Sequence, residues 1–525
     1  MILSLLGIVL SLVFLITLAY RGHSVIYVAP IAALIAVVFS GLPTLASYTQ
    51  VFMPAMGGFV ISYFPLFLTG AIFGSLMSIS GSAQAIAQWL AKMMGPRKAI
   101  FITVVATALL TYGGVSAWVV VFSVFPIATA LFREADVPRR LLPASIMLGL
   151  FTFSLAAIPG TPQIHNTMPG EYFGTNTFAA PFLSLLATAL VFGLGMLWLT
   201  RRQHKLKAAG ESYFDRTEIE KRDQSTSPIA PDGPSDGPTG GPTDDAAGGP
   251  TGGASLDVDP TPGGASAPVS GARGNTAVLT PVQTSTEPDT GIRRRGIMGI
   301  LPIVTVAAVN ALATYVFIPG LDTSYLAEEA YGNTSVESLL SIWSVIIALV
   351  SGIVWLLVCN FRQIKDLVKG LSEGAQRAVT PCMITASEVG YGAVIASLAA
   401  FTVVRNGLSA ISDNALVTGV LSVTGISGIT GSASGGLAIS LETFGTELAT
   451  AAAEQGIDME VMHRVIAMAS TSFDSLPHNG AMITVLVVCG LTHREAYKDI
   501  FVVSVLVPLV GVLFAAGLGL SVGAF

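Results

Sequence analysis

Two short polar stretches interrupt apolar runs in this chain and hold most of its residues with chemistry to offer. One is FDSLPHNGAM at 473–482, set between VIAMAST and ITVLVV; the other is IPGTPQIHNTM at 158–168. An ionised carboxylate at the centre of a membrane helix costs about 2.5–3.5 kcal/mol on insertion scales, so Asp474 must be protonated, paired or set in a watery cavity. His478 follows one helical turn later, beyond Pro477, and His165 occupies the other stretch. Imidazole titrates at about pH 6.5, so Asp474 with either histidine makes a unit able to take up and release a proton. A structural role is equally open, in which Asp474 caps a half-helix and His478 donates to a backbone carbonyl.

Pro159 and Pro162 withhold backbone donors and Gly160 admits unusual dihedrals, so the first stretch breaks its helix in two. Backbone freed at membrane depth must be buried in protein or line a polar cavity. Half-helices that start there, and hairpin turns, aim N–H groups and a positive dipole end at that cavity. This suits an anion, most simply a carboxylate. Ser116, Thr161, Gln163 and Asn166 from one half, with Ser432, Ser434, Ser475 and Asn479 from the other, add neutral hydrogen bonds suited to hydroxyl groups. For any one serine, close helix packing is the alternative. Neither break and neither hairpin tip contains Lys or Arg, which argues for a guest with one carboxylate rather than two or three. Glu388 in ITASEVGYG and Glu442 in AISLETFG also have apolar neighbours, but rank below Asp474 because neither sits at a break found in both halves. Glu171 is expected at the outer surface.

The elements that position these residues follow from hydropathy and charge. Hydrophobic residues make up 52% of the chain and charged residues 11%, with a mean hydropathy of +0.70; a soluble domain carries about twice that charge. Runs of spanning length, roughly 20 residues each, recur from residues 2–20 onward. That first run lacks a basic leader and a cleavage site and reads as a retained helix rather than a signal peptide. Residues 208–292, rich in Pro, Gly, Asp and Ser, read as a disordered cytoplasmic linker between membrane halves at 1–207 and 293–525. Basic clusters at Arg21, 92–98, 133–140, 201–207, 293–295 and 362–369 mark the cytoplasmic side.

Residues 99–132 are long enough to cross yet are flanked by basic clusters at both ends, so they are expected to form a re-entrant hairpin turning at Gly113 and Gly114. Residues 414–450 make its counterpart of opposite orientation, turning near Gly431–Gly436. Broken helices at 141–178 and 462–489 follow the two hairpins. The fold class is thus an all-α polytopic membrane protein with about 11 transmembrane helices, in two inverted repeats, each with a hairpin and a broken helix. Such repeats point to a secondary transporter with its site at the bilayer midplane. Residues 82–95 carry Ile86, Trp89, Leu90, Met93 and Met94 on one stripe and read as an interfacial helix.

Other classes fall away. The chain has no GxxxxGK[ST] and no HExxH, and Cys359, Cys382 and Cys489 have no metal-ligand spacing. No enzyme activity, cofactor, metal or nucleic-acid partner is expected; energy comes from an ion gradient. The net charge of -6 is carried partly by Asp-rich loops and says little about partners.

YGGVSAWVVVFSVFPIATALFREADVPRRLLPASI, FTFSLAAIPGTPQIHNTMP with YFGTNTFAAP, GITGSASGGLAISLE, and FDSLPHNGAMITVL followed by GLTHREAYKDIFVVSVLVPL resemble the gluconate:proton symporter family, the GntP permeases. The resemblance covers both membrane halves, about residues 1–205 and 295–525, and departs from the family in the length of the linker. It implies proton-coupled uptake of small hydroxylated carboxylates such as gluconate, glycerate or D-serine across the inner membrane. It also implies membership of the ion-transporter superfamily, a homodimer, and hairpins and breaks that move as an elevator. By the same resemblance the substrate site comprises Gly113, Gly114, Val115, Ser116, Thr161, Gln163, Asn166, Ser432, Ser434, Gly435, Gly436, Ser475 and Asn479, with Asp474, His478 and His165 for the proton. Sodium-coupled transport of a di- or tricarboxylate, and a transporter-like membrane sensor, are the competing readings.

Overall fold

The computed structural model describes residues 2–21, 23–214, 289–403, 407, 412–477 and 479–524; most of the expected linker, and His478, lie outside the described residues. Every regular element among them is helical. Among the described residues, six helices are long and apolar enough to cross a membrane: Thr44–Ile79, Pro181–Ala208, Gly291–Phe317, Val336–Cys359, Phe361–Ser397 and His493–Val522. A seventh span arises if the bent pair Ser82–Met94 and Pro96–Tyr112 counts as one. Shorter apolar helices include Val25–Ser40, Leu141–Ala156, Ala415–Thr430 and Gly480–Cys489.

Small residues let the long helices approach one another closely, as lipid-embedded packing requires. Gly374, on the helix Ile364–Ser397, sits so close to Met53–Ile79 that an added Cβ would lie 2.7 Å from Ile72 Cα. Gly390 of the same helix meets Phe52 in the same way, and Gly352 of Val336–Cys359 meets Phe73. These contacts join the two halves of the sequence into one body. The helix Ser82–Met94 does not continue Met53–Ile79: Gly81, in the left-handed conformation at φ 72°, separates them. It lies across Asp289–Leu312, where Gly296 leaves room for Trp89 and Gly299 for the Ser82 carbonyl.

Each half then contributes a hairpin. Ala99–Tyr112 and Ala117–Glu134 form the first, turning through Gly113–Ser116 with Gly114 at φ 84°. Ala415–Thr430 and Ala433–Glu454 form the second, turning at Gly431, φ 63°, and Ser432. Only glycine enters that region without strain. The first broken helix is Leu141–Leu150, Phe153–Ala156, an irregular loop, then Ile164–Thr167 and Pro169–Phe173. The second is Met459–Ser472, the loop through Asp474 and Pro477, and Gly480–Cys489.

Two boundaries differ from the sequence reading. The stretch EQGIDMEVMHR is helical from Met459, and Val461, Met462, His463 and Arg464 are buried; the polar groups of His463 and Arg464 find partners inside the protein, so they need no water. Residues 208–214 are not free linker. The Tyr213 N–H donates to Asp136 Oδ1 at 2.9 Å, the Arg133 guanidinium lies 5.6 Å from the Tyr213 ring centre, and Arg140 pairs with Glu211 at 3.3 Å. The loop between the first hairpin and the first break thereby holds the chain as far as Phe214.

Candidate functional site

In the second half the break and the hairpin tip are bonded directly to one another. Asp474 Oδ1 accepts from the Ala433 N–H at 2.8 Å and from Asn479 Nδ2 at 2.9 Å. Asn479 Nδ2 also donates to the Gly431 carbonyl at 2.8 Å, while its Oδ1 accepts from the Met482 N–H at 2.6 Å. Ser432 Oγ caps its own helix by accepting from the Gly435 N–H at 3.0 Å. Two N–H ends expected to face a substrate anion are therefore filled by side chains of the protein: Ala433–Glu454 by Asp474 and Ser432, and Gly480–Cys489 by Asn479. The break loop supplies the short polar side chains that favour N-caps, so each helix end is satisfied from within.

The tip has a second carboxylate beside it. Ser432 Oγ donates to Glu388 Oε2 at 3.3 Å, and Thr385 and Ser434 hydroxyls are 3.4 Å apart. Gly435 has no room for a Cβ, which would overlap the Glu388 carboxylate. Glu388 ranks low in the sequence because its helix is unbroken; long-range packing, not sequence position, brings it to the tip. Asp474 and Glu388 thus bond adjacent residues of the tip, Ala433 and Ser432, and both carboxylates are nearly fully buried.

The first half repeats the pattern with different atoms. Gln163 Nε2 donates to the Thr111 carbonyl at 2.7 Å, at the end of the first hairpin's leading helix, and Tyr112 Oη to the Pro159 carbonyl at 3.4 Å. An added Cβ on Gly114 would come within 3.1 Å of Pro162 Cγ. Asn310, from Asp289–Leu312, donates to the Gly160 carbonyl at 3.0 Å and to Thr177 Oγ1 at 3.2 Å. Thr161 Oγ1 donates to the Ser154 carbonyl at 3.0 Å, and Asn166 Nδ2 to the carbonyls of Thr161 and Thr177. Thr161 and Asn166 therefore hold the loop's shape.

No cation near the breaks was legible in the sequence, yet the structure delivers one. Arg464, fully buried, donates from Nε to Ala179 O, from Nη1 to Ala156 O and Asn166 Oδ1, and from Nη2 to Thr177 O and Ala179 O. These five bonds use all five guanidinium N–H groups. His463 beside it bonds Thr175 Oγ1 at 2.6 Å and the Asn166 carbonyl at 3.2 Å. The second broken helix thus braces the first break across almost three hundred residues of sequence.

Several further residues are placed without joining either network by a side-chain bond. His165 is buried with Nδ1 unpartnered among the described residues, as is the buried Ser475 Oγ. The Ser475 carbonyl accepts from Tyr497 Oη at 3.3 Å. Ser116 begins Ala117–Glu134 without a side-chain cap bond, Val115 is buried, and Gly113 sits against Ile303. Gly436 packs on Ser427 with no room for a side chain. Away from the tips, Glu171 accepts from Tyr63 at 2.5 Å and Glu442 from Tyr172 at 3.1 Å, joining each carboxylate to a neighbouring helix.

Comparison with known proteins matches this chain to a family. The GntP family permease profile matches residues 1–228. The chain is 38% identical to the "Uncharacterized transporter YxjC" of Bacillus subtilis over 508 residues, 95% of each protein. A shorter match, 28% over 133 residues, covers 25% of this chain and 30% of an "Uncharacterized transporter" of Haemophilus influenzae. The fold is similar to the crystal structure of the Alcanivorax borkumensis YdaH transporter. The TM-score is 0.51 at 15% identity, covering 89% of this chain and 88% of that one. The chain belongs to the GntP permease family and is a multi-pass membrane transporter rather than an enzyme.

Proposed function

We propose that this protein is a proton-coupled symporter that carries gluconate, or a related small hydroxy-monocarboxylate, into the cell across the inner membrane, by elevator motion within a homodimer. The observation that carries this reading is the repeated hairpin-to-break bond: a side-chain amide of each break donates to a carbonyl at the tip of its own hairpin, Gln163 to Thr111 and Asn479 to Gly431. Each hairpin and its break then move together, which an elevator body requires. The commitment of Arg464 also bears on substrate class. With all five donors engaged by the first break, it has none left for a second or third carboxylate. The uncommitted polar groups left at the breaks and tips are neutral, the Ser475 hydroxyl among them, which favours a monocarboxylate with hydroxyl groups.

Asp474 carries the proton in this reading, with Glu388 as its neighbour across the tip; His165 supplies a buried unpartnered nitrogen in the other break. The carboxylate's bond to the Ala433 N–H links its protonation to the closure of the second hairpin. The test is uptake of labelled gluconate and glycerate into proteoliposomes under separately imposed proton and sodium gradients. Accumulation of a hydroxy acid driven by protons supports the assignment. Accumulation driven only by sodium overturns the coupling ion, and no accumulation of any hydroxy acid overturns the substrate class.

A further inference from the structure

A groove between the first two helices has the dimensions and charge of a lipid site. Leu10, Val13, Phe14, Thr17 and Leu18 of the helix Ile2–Tyr20 line it, with Ile35 of Val25–Ser40 and Arg21 just beyond the first helix. Its volume is about 460 Å³. From Leu10 to Arg21 the helical rise is roughly 16 Å, about half the 30 Å hydrocarbon thickness. With Arg21 at the membrane surface, where the basic clusters place it, the groove has the depth of one leaflet. The Arg21 N–H still bonds to the Thr17 carbonyl, at 3.1 Å, so the arginine continues the helix and stays in line with the groove.

Arg21 is exposed, and no Asp or Glu forms an ion pair with it among the described residues. A cation at the surface end of an apolar trough one leaflet deep is complementary to a molecule with one acyl chain along the trough and a phosphate at its head. We propose that this groove binds an anionic phospholipid of the leaflet that the basic clusters face, with Arg21 on the headgroup phosphate. The assignment is independent of the transported substrate.

The experiment uses the full chain in detergent, titrated with dioleoyl phosphatidylglycerol, dioleoyl phosphatidylcholine or inorganic phosphate, with retained lipid read by native mass spectrometry. Wild type should retain phosphatidylglycerol in preference to phosphatidylcholine. Arg21→Gln, an exposed change that leaves the fold intact, should lower that retention about fivefold, the loss expected for one basic residue at an anionic surface. Val13→Trp, which fills the groove and leaves the cation, should lower retention of both lipids. Equal retention by wild type and Arg21→Gln overturns the site, as does inorganic phosphate competing as well as the lipid. A Val13→Cys variant that cross-links to a second copy in membranes shows that protein covers the groove, and overturns it too.

Discussion

Replacing Asp474 by asparagine separates its two roles. Its Oδ1 accepts two buried hydrogen bonds, from the Ala433 N–H and from Asn479 Nδ2. Bonds to a charged acceptor contribute about 1.5–3 kcal/mol each and neutral ones about 0.5–1.5. An amide oxygen can keep both bonds, so Asp474→Asn should weaken the hairpin clamp by about 2–3 kcal/mol against the ionised acid, and hardly at all against the protonated one. That difference is roughly thirty- to a hundred-and-fiftyfold in the equilibrium between clamped and released tips, large enough to couple a proton to hairpin movement. Asp474→Ala leaves the Ala433 N–H, and one of the two Asn479 Nδ2 N–H groups, buried without an acceptor, costing about 1–3 kcal/mol apiece. In proteoliposomes Asp474→Asn should exchange substrate across the membrane but fail to accumulate it under a proton gradient. Asp474→Ala should lose both activities and unfold at lower temperature. Normal accumulation by Asp474→Asn would refute the coupling argument, and equal thermal stability of the two variants would refute the clamp.

Gly435→Ala should express yet transport poorly, because its Cβ would overlap the Glu388 carboxylate. Overpacking of this kind costs about 1–3 kcal/mol, readable as a lowered unfolding temperature. Arg464→Met leaves the Ala156 and Ala179 carbonyls and Asn166 Oδ1 without the guanidinium donor and should destabilise by about 3–5 kcal/mol. Arg464→Lys keeps the charge with three donors and should fall between the two in a thermal melt. Deleting residues 215–285 should leave uptake unchanged, which excludes a required signalling role for that segment. Extending the deletion back to residue 208 removes the Tyr213 and Glu211 contacts with the 133–140 loop and should lower the unfolding temperature.

What the sequence made legible was local. Gly113–Gly114 and the GSASGG run gave the hairpin turns, and PGTP and DSLP the breaks, because proline and glycine act on the backbone where they stand. Asn479 and Ser432 were readable as cavity residues, but their work as helix caps depends on which N–H groups lie within reach. Arg464 was invisible as a site residue. A charge at the start of an apolar run has the same pattern whether it meets water or a set of carbonyls, and its acceptors, Ala156, Asn166, Thr177 and Ala179, come from about three hundred residues earlier. Glu388 was legible as a carboxylate in apolar surroundings but ranked below Asp474, since its meeting with Ser432 depends on packing between Ile364–Ser397 and the second hairpin.

The reach of Arg464 into the first break also orders the protein's biogenesis. When the first half has been inserted, the carbonyls of Ala156 and Ala179 and the Oδ1 of Asn166 lack the guanidinium that binds them in the finished fold, because it has not been synthesised. The first break cannot reach its final shape until residue 464 has left the ribosome. The amino-terminal half is thus an unfinished intermediate for most of translation, and two halves made as separate polypeptides would have to meet in the bilayer before either could mature.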